Sequence, residues 1–390
     1  GVELIHSTPE DYLAATIKRH DLPEVHHSLW CWAVGCYSSQ IRVKQKHRAT
    51  ENIYYLTEIM CSHAANEGLM EYPFKELADA MYDIMTVEFH DVLPGSSIQP
   101  AEEMGIRMMD HAIEILTRLK AKAFFALASG QKRADPDKIP LCVYNPYPYE
   151  ITENIICEFN LWDQDRNPYF MKPIVYDKDG KIIPSQCEKE YSTIPINWRK
   201  RVVFRATLAP MTLNRFDCGF ETMDERPASE AVYKDDYIIL NRGGSEIKIN
   251  TKTGLVDAYI KGGKNYVADS AFGLEVYNDD FDPWGMMVTA FKEKVGEFKL
   301  LTPAEAKEFL YLDNEIPSVH MIEDGDVETT IEAVFGYKGS HAIVKYILGD
   351  DGDLRVDVRV NWSEKQRMLR LNIPTTLENS VCIGEQPYGE

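Results

Sequence analysis

The segment FHDVLPGSSI, residues 89–98, holds the side chains most suited to chemistry. His90 and Asp91 follow an apolar helical run, and the free carbonyls at a helix C-terminus favour a cation, either a protonated imidazole or a metal ion. Pro94 and Gly95 interrupt the helix, so both side chains are expected at an exposed lip. A catalytic zinc site typically takes about three protein ligands. Further ligands must therefore come from elsewhere, or His90 is only a structural histidine at a helix end.

The helices that position this segment are visible as three apolar patterns between about residues 45 and 130. The first pattern ends near Gly68, the second runs directly into His90, and the third opens at Pro100 with acidic residues in its first turn. The expected core positions are Ile53, Leu56, Met60 and Ala64, then Leu77, Met81, Ile84 and Val87, then Met104, Met108, Ala112, Ile115 and Leu119. Amphipathic helices with short connections predict a three-helix bundle.

From about residue 140 the apolar residues alternate with period two, which predicts half-buried strands. The clearest alternations are Ile155, Cys157, Phe159 and Leu161, then Val202, Phe204, Ala206 and Leu208, then Leu354, Val356, Val358 and Val360. Turn clusters separate them, and a polar segment around residues 222–235 suggests a boundary between two β domains. The predicted fold class is therefore α+β and multidomain, a three-helix bundle followed by antiparallel β-sandwich domains.

Charge and composition exclude several classes of protein. A net charge of −20 argues against nucleic acid as a partner, because phosphate binding needs a basic face. Neither a membrane span nor a signal peptide is visible, so no membrane partner is expected. The eight cysteines are scattered, which favours a reducing compartment and a cytoplasmic location. Glycine-rich phosphate loops, HExxH helices and GxSxG elbows are also missing from the sequence.

The motifs resemble those of one family. FHDVLPGSSI is similar to the FHDILPGSSI segment of glycoside hydrolase family 38, the retaining α-mannosidases, and the upstream stretch GCYSSQIRVKQKHRATENIYYLTEI resembles the helical region of that family. VYNPYPYE, INTKTGLVDAYI, YNDDFDPWGM and GEQPYG then resemble its β-domain signatures in order. The resemblance covers nearly the whole chain. It implies the order of that family, an α/β barrel, a three-helix bundle and β-sandwich domains.

The resemblance also implies where the missing ligands lie. In the family, a His-Asp pair and a nucleophilic aspartate of the barrel hold a zinc ion, and the histidine of the FHD motif completes the set. His90 is thereby expected to bind Zn²⁺ and Asp91 to bind sugar hydroxyls. The nucleophile and the acid/base carboxylate belong to the barrel, so no catalytic residue is expected in this chain. The expected domains are a lead-in segment left from the catalytic region at 1–40, the bundle at 41–132, a β-sandwich at 133–232 and a larger, C-terminally truncated β-sandwich at 233–390.

The sequence departs from the family pattern in two places, at His27-Ser28-Leu29 and at His47-Arg48, where the family usually has GEL and NR. Both departures put the details of the sugar subsites in doubt. Asp282 and Trp284 in YNDDFDPWGM are further candidates for substrate binding, because carboxylates accept hydrogen bonds from sugar hydroxyls and an aromatic face stacks on a pyranose. An acidic turn with a buried tryptophan is the alternative, and it is slightly favoured.

The function implied by the resemblance is a bacterial-type, zinc-dependent retaining α-mannosidase that acts on mannose-containing oligosaccharides by double displacement. The chain alone is then expected to be inactive. Two other classes stay open: a carbohydrate-binding or scaffolding module without catalytic activity, and a free-standing interaction protein whose FHD segment only stops a helix. Assembly into a homo-oligomer is also left open.

Overall fold

The computed structural model describes residues 2–24, 33–161, 169–190, 198–227, 229, 231–285 and 290–384. Within these ranges a bundle of helices is followed by sheets whose strand pairs are antiparallel. The fold class predicted from the sequence is confirmed. The departure at 27–29 and the last five residues of the GEQPYG motif lie outside the described ranges.

The helical part of the chain contains a short N-terminal helix and three longer ones. The helices are α1 Pro9–Thr16, α2 Ile41–Asn66, α3 Phe74–Val87 and α4 Gln99–Ala128, with a 3₁₀ turn at Val34–Tyr37 before α2. Gly68, at φ +70°, follows the end of α2, and Pro100 lies in the first turn of α4. No residue of α1 is buried, whereas α2, α3 and α4 pack on one another. None of the described helices offers a stretch long and apolar enough to cross a lipid bilayer.

The core of the bundle contains most of the positions expected from the helical spacing. Met60, Leu77, Ala112, Ile115 and Leu119 are buried in one cluster. The expectation for Met104 is wrong, because that side chain is 40% exposed.

The inward face of α4 begins one residue later than Met104, at Gly105. A Cβ at Gly105 would lie 3.1 Å from Val92 Cγ1, so the glycine lets α4 approach the loop that follows α3. Periodicity alone does not distinguish a glycine contact from a methionine contact.

The first β region is a sandwich of two sheets. Its strands are β1 Ile139–Asn145, β2 Ile151–Asn160, β3 Phe170–Tyr176, β4 Ile182–Ile183, β5 Ser185–Glu188, β6 Arg199–Leu208 and β7 Thr212–Met223. One sheet has the order β1-β7-β3-β4 and the other β2-β6-β5. Val202, Phe204, Ala206 and Leu208 of β6 face Phe216 of β7 in a shared core, as their alternation predicts.

The second β region contains three sheets around one larger core. Its strands are β8 Val232–Lys234, β9 Tyr237–Arg242, β10 Ser245–Asn250, β11 Val256–Lys261, β12 Lys264–Asn265, β13 Gly273–Asn278, β14 Lys294–Glu297, β15 Lys299–Leu300, β16 Val319–Asp324, β17 Glu328–Tyr337, β18 Ser340–Gly349, β19 Leu354–Asn361 and β20 Arg367–Asn372, with helix α5 at Pro303–Leu310. The sheets have the orders β12-β11-β10-β9-β8, β14-β13-β20 and β15-β17-β18-β19, and β16 also pairs with β17. Val358 of β19 is 37% exposed, because this strand forms a sheet edge.

Gln186 of β5 joins the two β regions. Its Oε1 accepts the backbone N–H groups of Val327 and Glu328, each at 2.8 Å, and its Nε2 donates to the carbonyl of Glu328 at 3.0 Å. The side chain is buried, as are Glu188 and Glu328 beside it. Burial raises the pKa of both carboxyl groups, and the charge of Glu188 adds to the rise at Glu328.

Replacement of Gln186 should destabilise this joint. Gln186→Leu keeps most of the volume but removes the acceptor of two buried N–H groups, so we expect the free energy of unfolding to fall by about 2 kcal/mol. Denaturant titration of the 390-residue chain measures the change. Gln131→Leu, at an exposed position, is the matched control. Equal stability of the two variants would show that the amide network does not hold the joint.

Candidate functional site

His90 and Asp91 lie just beyond the end of α3. The His90 side chain is 78% exposed, and its Nε2 lies 3.8 Å from Oδ2 of Asp91, whose side chain is 43% exposed. The ring of Phe89 lies beside the imidazole, with a distance of 4.3 Å between the ring centroids. Both polar side chains thus occupy the exposed lip that the proline and glycine predict.

The loop that carries these residues is folded tightly on itself. The backbone N–H of Val92 donates to the carbonyl of Phe89 at 2.8 Å, and that of Gly95 donates to the carbonyl of Val92 at 3.1 Å. Ser96 Oγ donates to Oδ1 of Asp91 at 3.2 Å. One carboxylate oxygen of Asp91 is therefore held by the loop, while the other faces His90.

The side chains at this lip fit a metal site only in part. An exposed imidazole at the negative end of a helix is a suitable ligand for a divalent cation. Among the described residues, however, His90 does not belong to any group of three or more His, Cys, Asp or Glu side chains close enough to hold one ion. A zinc ion at His90 would therefore need ligands from beyond the residues described.

A short segment links this lip to the second β region. We call residues 33–40 the clasp. The backbone N–H of Gly35 donates to the carbonyl of Trp284 at 2.9 Å, and Ser39 Oγ donates to the carbonyl of Pro283 at 2.8 Å. The clasp thus fixes the acidic loop after β13 to the start of the bundle.

The opposite side of the clasp holds the loop that follows α3. Gln40 Nε2 donates to the carbonyl of Ser97 at 2.8 Å. Lys44 Nζ, on the first turn of α2, donates to the carbonyls of Ser39 at 2.5 Å and Leu93 at 2.9 Å. Burial lowers the pKa of Lys44. The FHD loop and the acidic loop are consequently attached to one piece of backbone.

Three glycines make these close approaches possible. A Cβ at Gly35 would lie 2.6 Å from the backbone nitrogen of Gly285, and one at Gly285 would overlap the nitrogen of Gly35. A Cβ at Gly95 would lie 2.6 Å from the carbonyl oxygen of Ser39. Gly95 and Gly285 also have positive φ, at +81° and +67°.

Asp282 and Trp284 lie in this acidic loop and are half-buried. Asp280 Oδ1 accepts the backbone N–H of Asp282 at 2.8 Å, and Asp282 Oδ1 accepts that of Trp284 at 3.0 Å. Burial raises the pKa of the neighbouring Asp279. Some of these carboxylates therefore form hydrogen bonds within the turn itself, as expected if the segment is an acidic turn with a buried tryptophan.

The thiol of Cys36 lies on the clasp, whose hydrogen bonds reach the acidic loop through Gly35 and the FHD loop through Gln40. Burial raises its pKa, Lys44 opposes the rise, and the charges of Asp282 and Asp91 both add to it. Two carboxylates from distant parts of the sequence thus act on one clasp side chain. The structure brings Asp91 and Asp282 to the same region, where the sequence alone names them separately.

The side chains that attach the FHD loop to the clasp and to α2 are not singled out by sequence reasoning. Gln40 and Lys44 lie within a stretch whose family resemblance is visible, but neither spacing nor residue type indicates that they bond to the FHD loop.

Two family models match this chain. Residues 31–127 match the alpha mannosidase middle domain, and residues 240–389 match the glycosyl hydrolases family 38 C-terminal domain. An alpha-mannosidase of Saccharomyces cerevisiae (strain ATCC 204508 / S288c) is 28% identical over 130 residues, which cover 32% of this chain and 12% of the yeast protein. His90, Asp91 and the clasp lie within the first matched range.

Solved structures show the same fold. A glycosyl hydrolase family 38 protein from Enterococcus faecalis aligns with a TM-score of 0.67 and 15% identity over 96% of this chain and 49% of that chain. An alpha-mannosidase from Enterococcus faecalis V583 aligns with a TM-score of 0.66 and 14% identity over 94% of this chain and 47% of that chain. The chain thus spans about half the length of these solved structures.

Proposed function

Because the chain belongs to glycoside hydrolase family 38 through both its bundle and its C-terminal β region, we propose that it acts within a zinc-dependent retaining α-mannosidase. In this proposal the chain contributes the zinc ligand His90 and the substrate-binding Asp91, while the nucleophile and the acid/base carboxylate lie outside it. The substrate is a terminal α-linked mannose of a glycan or oligosaccharide.

The observation that carries the proposal is the arrangement at the end of α3. An imidazole and a carboxylate are exposed side by side, and the clasp and the loop's own hydrogen bonds hold the backbone beneath them. A histidine that only capped a helix would not need a backbone held in place by these hydrogen bonds. Together with the family of the bundle, this supports a role for His90 and Asp91 at a site completed by another part of the enzyme.

The residues of this chain would hold the substrate rather than react with it. Bound zinc would supply a Lewis acid for sugar hydroxyls. His90 would direct one imidazole nitrogen toward that metal. Asp91, anchored through Ser96, would accept a hydrogen bond from a hydroxyl with its second oxygen. Asp282 and Trp284, placed by the clasp, would contact the same sugar or its neighbour.

The proposed function includes a cellular compartment and a source. The scattered cysteines of the sequence support a reducing, cytoplasmic compartment, and the family resemblance supports a bacterial source. The competing proposal is a carbohydrate-binding or scaffolding module, in which the same exposed lip binds mannosides without hydrolysis.

The chain alone should be inactive. We expect no hydrolysis of an aryl α-mannoside by the purified 390 residues in the presence of zinc, because a retaining mechanism needs a pair of carboxylates that the chain is proposed to lack. Colorimetric assay of aglycone release, with the native enzyme as positive control, measures this. Turnover by the chain alone would refute the proposed division of roles. If the native protein binds mannosides but does not hydrolyse them, the competing proposal of a carbohydrate-binding module is favoured.

A further inference from the structure

Three potential metal ligands meet where α2 passes the end of α3. His47 and Glu51 lie one turn apart on α2, and Glu88 follows the last residue of α3. Nδ1 of His47 lies 3.3 Å from Oε2 of Glu51, and its Nε2 lies 3.0 Å from Oε1 of Glu88. One ligand atom from each residue falls within 4.8 Å of the other two.

These side chains have the chemistry of a divalent-cation site. An imidazole nitrogen with two carboxylate oxygens suits first-row ions such as Zn²⁺ and Mn²⁺. The spacing of four residues on α2 places His47 and Glu51 on one helix face. The third ligand, Glu88, follows the end of another helix. An ion bound here would consequently link α2 to the end of α3.

The cluster carries an excess of negative charge. Two carboxylates lie together, and one of them stands at the C-terminal end of α3, where the helix dipole is also negative. Arg48 partly balances Glu51 at 3.5 Å, but its side chain is 76% exposed. Both ring nitrogens of His47 face carboxylate oxygens, which only accept hydrogen bonds, and a cation bound among the three side chains would offset this excess of acceptors.

We propose that His47, Glu51 and Glu88 form a site for a divalent cation of the zinc class. The His47 side chain is 12% exposed and therefore fixed, whereas those of Glu51 and Glu88 are 40% and 42% exposed and can turn toward an ion. The site uses none of the side chains assigned above to zinc or sugar. It arises at one of the two positions where the sequence departs from the family pattern, His47 in place of the usual asparagine.

Titration of the metal-free chain with Co²⁺, followed by its visible absorption and then by displacement with Zn²⁺, tests the proposal. The wild-type chain should bind an ion at this site. His47→Asn, which installs the usual residue of the family, and Glu88→Gln should each weaken binding at least about tenfold. His20→Ala, at an exposed position in the N-terminal segment, should bind as the wild type does. Circular dichroism establishes that each variant is folded, and Glu51→Gln serves as a third ligand variant.

Three results would overturn the proposal. If the wild-type chain binds neither ion, the cluster is only a set of polar contacts between α2 and the end of α3. If His47→Asn, Glu51→Gln and Glu88→Gln all bind Co²⁺ as tightly as the wild type, the ion is held elsewhere. Loss of binding in His90→Ala but not in His47→Asn would move the site to the end of the FHD loop.

Discussion

His90→Ala in the native enzyme should lose most of its activity and most of its zinc affinity. We expect kcat/KM on an aryl α-mannoside to fall at least about a hundredfold, equal to about 2.7 kcal/mol of transition-state stabilisation. The physical reason is that His90 supplies the exposed imidazole at the lip, where the zinc ligand is proposed. Steady-state kinetics and zinc analysis after dialysis measure the two losses.

The effect must be separated from a general disturbance of the protein. Because the His90 side chain is 78% exposed, its removal should leave the free energy of unfolding nearly unchanged. His20→Ala, at an exposed position in the N-terminal segment, is the control and should keep full activity. Wild-type turnover and zinc content in His90→Ala would refute the ligand assignment.

Gly285→Ala should weaken the clasp by adding a single methyl group at its closest backbone contact. The added Cβ would overlap the nitrogen of Gly35, and the residue would also be forced to keep a positive φ. Backbone strain and overpacking each cost about 1–3 kcal/mol, so we expect the free energy of unfolding to fall by about 3 kcal/mol. Denaturant titration of the chain measures the loss.

Gly68→Ala is a closely matched control. Its φ of +70° is similar to that of Gly285, but a Cβ there would meet no atom within 4 Å. The control should therefore lose only the cost of the left-handed conformation, about 1 kcal/mol. Equal losses in the two variants would mean that the close approach of the clasp to the acidic loop contributes nothing to stability.

Gly285→Ala should also change the steady-state kinetics of the native enzyme. If Gly285→Ala releases the acidic loop, Asp282 and Trp284 lose their fixed position, and we expect KM to rise more than kcat falls. A Gly285→Ala enzyme of reduced stability and unchanged KM would separate the clasp from substrate binding.

Much of the fold could be predicted from residue patterns because the underlying physics is local. Helical spacing predicts α2, α3 and α4, and alternation predicts β6, because one face of each element is buried. The exceptions have specific causes. Gly105, and not Met104, lies on the inward face of α4. Val358 is exposed because it lies on an edge strand.

The candidate site was only partly predictable for the opposite reason: its assembly is not local. His90 and Asp91 are marked by their position before a proline and glycine, which is a local signal. The contact of Gly35 with Gly285 joins residues far apart in the sequence and depends on the packing of whole domains. The pairing of His47 with Glu51 had a readable spacing on the helix, but Glu88 joins them only when α2 and α3 pack.

His90 is proposed to ligate the zinc ion of an α-mannosidase. Anomalous diffraction from crystals of the native enzyme, recorded on both sides of the zinc absorption edge, tests it most directly. We predict an anomalous peak at about 2.0–2.1 Å from a ring nitrogen of His90, with the other ligands contributed from outside these residues. A native enzyme with no zinc peak within bonding distance of His90, whether or not the cluster of His47, Glu51 and Glu88 holds an ion, would contradict this assignment.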